Sequence, residues 1–166
     1  MIDKAELLEV LCDQVTADLE SLERRQRDTQ EGATHEESRA EHAKDTRATE
    51  QGYLARGLAE RVTDLRRTLT ALTRLELRDF EPGDSIAVSA LVLIASQDDA
   101  VDVTTRETWF LVPGAGGLEL EDSSERIRTL TPASPLGRTL LGLGKGDEGT
   151  VHTPRGQRTL KILEIR

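Results

Sequence analysis

Phe80-Glu81-Pro82-Gly83-Asp84 is the stretch on which the reading of this chain turns. Proline and glycine stop a helix there, and the apolar period changes from one side of the stretch to the other. On the N-terminal side, residues 1–78 hold no proline, and apolar residues recur at helical spacing. One run is Leu8, Leu11, Val15, Leu19 and Leu22; a second is Leu58, Val62, Leu65, Leu69 and Leu72, a heptad seam. A single stripe cannot bury itself, so two helices joined by a turn are expected to pair antiparallel as a coiled-coil hairpin. At about 1.5 Å per residue, helices of roughly 30 residues make a rod on the order of 45 Å long. Between the stripes, from Glu23 to Gln51, nothing is more apolar than alanine, so the far end of the rod is polar.

On the C-terminal side Ile86, Val88, Ala90, Val92 and Ile94 alternate, as in a half-buried strand. A turn at Gln97-Asp98-Asp99 and a β-prone stretch over Val103 to Val112 follow. Ile127 to Leu130 reads as a further strand. Ser134-Pro135 before Leu136, Leu140 and Leu141 predicts a short helix with serine at its N-cap and proline at its first position. Gly149 to Thr153, a turn at Thr153-Pro154-Arg155-Gly156, and Leu160, Ile162 and Ile165 predict a closing hairpin. The expected fold class is therefore α+β in two domains: a helical hairpin over 1–78, and a small antiparallel sheet with one short helix over 79–166.

Composition narrows the functions. The chain has 166 residues and a net charge of −9, so autonomous DNA binding is not expected. Its longest apolar run, Ala87 to Ala95, is far short of the roughly 20 residues of a membrane span, and the acidic N-terminus does not read as a signal peptide; the cytoplasm is the expected location. The lone Cys12 excludes an internal disulfide or a paired-cysteine zinc site. Four aromatics, Tyr53, Phe80, Trp109 and Phe110, are too few for an aromatic-lined prolyl-isomerase pocket.

The candidate sites lie in three places. The expected chain reversal, within residues 31–46, carries Glu31, Glu36, Glu37, Glu41 and Asp45 against Arg39 and Lys44. His35 and His42 read as solvated. Arg24, Arg25 and Arg27 form a basic band below that tip, with Arg47, Arg56 and Arg61 available from the second helix; pairing with Glu20, Glu23, Asp28 and Glu60 is the competing reading. The third place is the helix around Ser134 to Leu141 together with the Trp109-Phe110 pair, with core packing the competing role for Leu140, Leu141 and Trp109.

Ser134-Pro135-Leu136-Gly137-Arg138-Thr139-Leu140-Leu141-Gly142, Lys145-Gly146-Asp147-Glu148 and Thr153-Pro154-Arg155-Gly156 together resemble the signature of Gre-type bacterial transcription elongation factors, SPI-x-RALLGK-x-x-GD-x-V-x-V-x-TP-x-G. The resemblance covers about residues 80–166, and the N-terminal half in architecture. It implies a second domain that is FKBP-like without isomerase activity and docks on RNA polymerase, for which Ser134, Pro135, Leu136 and Arg138 are the candidate contacts. It also implies a coiled coil that enters the polymerase's secondary channel and meets the 3′ end of the nascent RNA only within that complex; on this reading Arg24, Arg25 and Arg27 are the candidate contacts to RNA phosphates or acidic channel walls. At its tip, acidic side chains assist Mg²⁺ shared with the polymerase in cleaving backtracked RNA; the factor itself is no enzyme and holds no cofactor of its own.

Where the family reads D-L-S-E-N-A-E-Y, this chain has Glu36-Glu37-Ser38-Arg39-Ala40-Glu41-His42-Ala43. Alignment through Glu50-Gln51-Gly52-Tyr53 sets the family's first Glu on Glu41 and its Asp on Ser38, beside Glu37. Glu36, Glu37 and Glu41 are thus the candidate metal-assisting carboxylates, Glu37 and Glu41 the candidate ligands. A non-cleaving regulator or inhibitor in the same channel, and a coiled-coil adaptor, are the alternative functions.

Overall fold

The computed structural model of the protein describes residues 3–37, 46–98, 101–121, 125–154 and 156–166. Helix α1 spans Lys4–Glu37 and α2 spans Thr46–Thr73. Asp3 starts α1 as an N-cap, its carboxylate accepting from the Ala5 N–H at 2.8 Å. Of the stretch 31–46 in which the chain reversal is expected, residues 31–37 belong to α1 and Thr46 starts α2, and residues 38–45 lie outside the described residues. By contacts the chain forms two compact units, Met1–Leu11 with Ala71–Arg166, and Cys12–Thr70. The unit that carries the sheet thus takes in the start of α1 and the end of α2, whereas the break in apolar period lies at residue 79. Among the described residues no helix is long and apolar enough to cross a membrane.

In the Cys12–Thr70 unit the apolar stripes face inward. Val15 and Val62 are buried, and Leu19, Leu22, Leu58, Leu65 and Leu69 are half-buried. The same spacing continues through half-buried Gln26 and Thr29, so the inward stripe of α1 persists after its leucines run out. Glu23 and Arg66 join the helices, the Arg66 Nη2 lying 2.6 Å from the Glu23 carboxylate.

In the other unit, Leu7, Leu11 and Leu72 are buried. Leu7, which the expected stripe passed over for Leu8, is the more deeply placed of the two. Lys4 donates to the Arg78 carbonyl, and the Lys4 ammonium and the Arg78 guanidinium each lie 5.1 Å from the centre of the Phe80 ring.

The sheet has six strands: β1 Leu91–Asp98, β2 Val101–Leu111, β3 Glu119–Glu121, β4 Arg126–Leu130, β5 Glu148–Thr153 and β6 Gly156–Ile165, in the order β3-β4-β2-β1-β6-β5. The expectation of an antiparallel sheet is corrected: β2 and β4 run parallel, with Thr108 opposite Ile127 and Leu111 opposite Leu130. The cause is β3, three residues that pair antiparallel with β4. The chain leaves β2, runs back as β3, and turns again, so β4 re-enters in the direction of β2.

A second correction concerns Ile86 to Ala90, expected to begin the first strand. The Ile86 N–H donates to the Leu143 carbonyl at 2.8 Å and the Ile86 carbonyl accepts from the Gly142 N–H at 2.9 Å, so its backbone is tied to the segment after the short helix. Ser89 then takes a positive φ of 77° while fully buried, and strand β1 begins only at Leu91. The Ser89 hydroxyl compensates by accepting from the Arg78 N–H at 3.0 Å.

Helix α3, Pro135–Leu140, contributes Leu140 to the buried cluster on one sheet face with Ile86, Val92, Ile94, Leu111, Leu130, Leu160 and Ile162. Strand alternation sends Leu91, Phe110, Leu120 and Ile127 to the opposite face, where they are also buried.

Candidate functional site

The family-like signature is first of all a set of structural devices. Ser134 caps α3: its Oγ accepts from the Gly137 N–H at 3.0 Å and donates to the Thr131 carbonyl at 2.8 Å. Pro135 follows at the first helical position, where its missing N–H costs nothing. Gly137 lets α3 approach the preceding loop, since a Cβ there would lie 2.0 Å from the Thr131 carbonyl oxygen. Gly146 has φ 91°, which glycine adopts without strain, and Asp147 closes the turn by accepting from the Gly144 N–H at 2.7 Å. At the hairpin tip the Thr153 hydroxyl donates to the Gly156 carbonyl at 3.0 Å.

What remains free for a partner is the outer side of α3. Leu136 packs against the core and Leu140 is buried, while Pro135 and Arg138 are exposed and Leu141 is 37% exposed. These three sit at i, i+3 and i+6, along one side of the helix and its end. Of the four expected contacts in this region, Pro135 and Arg138 are thus available, and Ser134 and Leu136 serve the fold. Leu141, for which core packing is the expected role, lies instead outside the core cluster and partly exposed. Arg138 is held in place by a bond from its Nη1 to the Ala133 carbonyl, 2.6 Å long.

The Trp109-Phe110 pair divides. Phe110 is fully buried, and Trp109 is half-buried with the Arg128 guanidinium 5.8 Å from its ring centre. Arg128 in turn bridges Glu119 at 3.1 Å and Glu107 at 3.8 Å.

In the basic band, Arg24 lies 3.8 Å from Glu20, the intrahelical pairing that competes with partner binding. The Arg27 Nε donates to the Glu23 carbonyl at 3.4 Å, and the Arg25 guanidinium has no partner among the described residues. Arg56 and Arg61 are exposed on α2; it is Arg66, not singled out in the sequence, that reaches Glu23. The Arg47 side chain lies outside the described residues.

Glu36 and Glu37 occupy the last turn of α1 by backbone, and their side chains lie outside the described residues. Glu41 lies outside them altogether, as do Ser38 and His42. Among the described residues, no three His, Cys, Asp or Glu side chains are grouped to hold a metal ion.

Comparison with known proteins places this arrangement. Residues 81–166, slightly over half of the chain, match the family described as transcription elongation factor, GreA/GreB, C-term. The chain belongs to the GreA/GreB family of transcription elongation factors. It is 33% identical over 97 residues to the transcription elongation factor GreA of Chloroflexus aurantiacus, a match covering 57% of this chain and 55% of that protein. It is also 47% identical over 38 residues to GreA of Syntrophobacter fumaroxidans, covering 23% of this chain and 24% of the relative. The chain thus spans about half the length of the first of these relatives. Among solved structures it is similar to the GreA factor homolog 1 protein of Thermus thermophilus, at 19% identity and a TM-score of 0.37 over 93% of this chain and 94% of that one.

Proposed function

We propose that this protein docks on bacterial RNA polymerase through residues 79–166, an FKBP-like domain, and reaches the active centre along the enzyme's secondary channel with residues 1–78, an antiparallel coiled-coil hairpin. There it stimulates the polymerase's own cleavage of backtracked RNA in the cytoplasm, without binding DNA by itself. The observation that supports this reading is the family match over 81–166, whose signature builds α3 and leaves Pro135, Arg138 and Leu141 outward.

Glu36, Glu37 and Glu41 are the proposed tip carboxylates. Glu37 and Glu41 would supply hard oxygen ligands to a shared Mg²⁺, which when bound would polarise the phosphodiester and water for hydrolysis. Arg25, without a partner among the described residues, and Arg24 and Arg27 beside it would face the RNA 3′ end or the channel wall.

Ser38 and His42 stand where the family pattern has Asp and Asn, and this departure favours a second reading in which the protein occupies the channel without promoting cleavage. A purified polymerase stalled in a backtracked complex separates the two. Cleavage that rises with this protein and falls at least tenfold with Glu41→Gln, while polymerase binding is unchanged, supports the chemistry. Binding without stimulation, and inhibition that Glu41→Gln leaves intact, supports occupancy. Absence of polymerase binding sinks both and leaves the coiled-coil adaptor.

A further inference from the structure

We infer that residues 52–57 of α2 form a locally soft segment that opens while the helix from Val62 onward stays closed, because Gly52 and Gly57 weaken it and none of its side chains is buried. Glycine inside a helix is ordinarily explained by close packing or by an unusual backbone angle. Neither applies here. A Cβ at Gly52 or at Gly57 would have nothing within 4 Å, and neither glycine is among those with positive φ. Their remaining effect is to add conformational freedom to the open state, which disfavours the helix.

Burial acts in the same direction. The leucines of the inward stripe of α2 start at Leu58, and the large apolar side chains of the segment, Tyr53 and Leu54, are 70% and 65% exposed. Opening residues 52–57 therefore removes little apolar burial, whereas opening Val62 to Leu72 would expose buried side chains. The segment carries Tyr53 and Leu54 and can reshape their presentation without disturbing the part of the helix below. This property belongs to the chain alone and does not depend on the polymerase reading.

Amide hydrogen exchange of the full chain tests it. Corrected for intrinsic rates, amides of residues 53–57 are expected to exchange at least tenfold faster than those of 62–69. Gly52→Ala and Gly57→Ala should each slow exchange in 53–57 by about fivefold, and together by about twentyfold, with 62–69 unchanged. Leu54→Ala should leave the rates within about twofold, since the side chain is exposed. Uniform protection along α2, or rates in 53–57 that do not respond to the double alanine variant, would overturn the inference.

Discussion

Glu23 and Arg66, 43 positions apart in the chain, meet through both the Nε and the Nη2 of the arginine on one carboxylate oxygen, at 3.2 and 2.6 Å. The link joins α1 to α2 where the inward leucines of α1 end. Its strength is limited by water, because the arginine side chain is 63% exposed and that of the glutamate 32%. A double-mutant cycle with Glu23→Gln and Arg66→Gln should return a coupling of about 0.2–1 kcal/mol in thermal unfolding, shrinking as salt is raised. A coupling well above that range, or one insensitive to salt, would contradict a solvent-screened pair.

Gly137 makes a much larger demand. Alanine at this position would bring its Cβ within 2.0 Å of the Thr131 carbonyl oxygen, a backbone atom that cannot swing aside. Gly137→Ala should cost at least about 1–3 kcal/mol and lower the unfolding midpoint in denaturant. Gly52→Ala, in open space on α2, should instead be neutral or stabilising. Equal effects at the two glycines would refute the packing argument.

The contrast between these glycines shows what a sequence makes legible. The Ser134-Pro135 start of α3 and the Thr153-Gly156 hairpin tip were readable because each is closed by bonds between residues at most three apart. The parallel pairing of β2 with β4 was not, because it depends on β3, three residues with no periodicity to detect. Ile86 to Ala90 alternates as a strand does, yet its backbone is claimed by Gly142 and Leu143, partners more than 50 positions away. Arg66 escaped notice for the same reason: its partner is set by how two helices align, and several arginines had equal local claims. Pro135 and Arg138, candidate contacts from the family-like signature, are exposed; their neighbour Ser134 looked available only because its capping bonds are invisible in a string of letters.

Lys4 and Cys12 give the fold a pH signature at the alkaline end. Burial is the main influence on the Lys4 ammonium and lowers its pKa, with Arg78 acting in the same direction and Asp79 opposing them. Burial also raises the pKa of the Cys12 thiol, helped by the charge of Asp13. For Cys12 the fold favours the protonated form, so its contribution is complete below the unfolded thiol pKa and is lost as pH rises through the folded value. For Lys4 the fold disfavours the charged form, so its cost is relieved as pH rises from the folded to the unfolded lysine pKa. The measurable consequence is slow alkylation: at pH 8 iodoacetamide should modify Cys12 severalfold more slowly in the folded chain than in urea. Equal rates would show that the thiol is neither shielded nor shifted.

The outer side of α3 permits a cleaner separation of folding from docking. Leu141 is 37% exposed and Arg138 is exposed, whereas the Ser134 hydroxyl holds the helix N-terminus. Ser134→Ala should therefore cost about 1 kcal/mol of stability through the lost cap. Arg138→Ala should leave unfolding within about 0.5 kcal/mol, and Leu141→Ser should cost about 1 kcal/mol, since the leucine is only partly covered. If this side meets RNA polymerase, the same two changes should weaken polymerase binding by roughly tenfold each, the scale of a central interface residue. Titration of labelled protein against purified polymerase, alongside denaturant melts of each variant, reads both effects. Binding that follows stability across all three variants would place the docking surface elsewhere on the sheet unit; binding lost at Leu141 and Arg138 with the fold intact assigns it to α3.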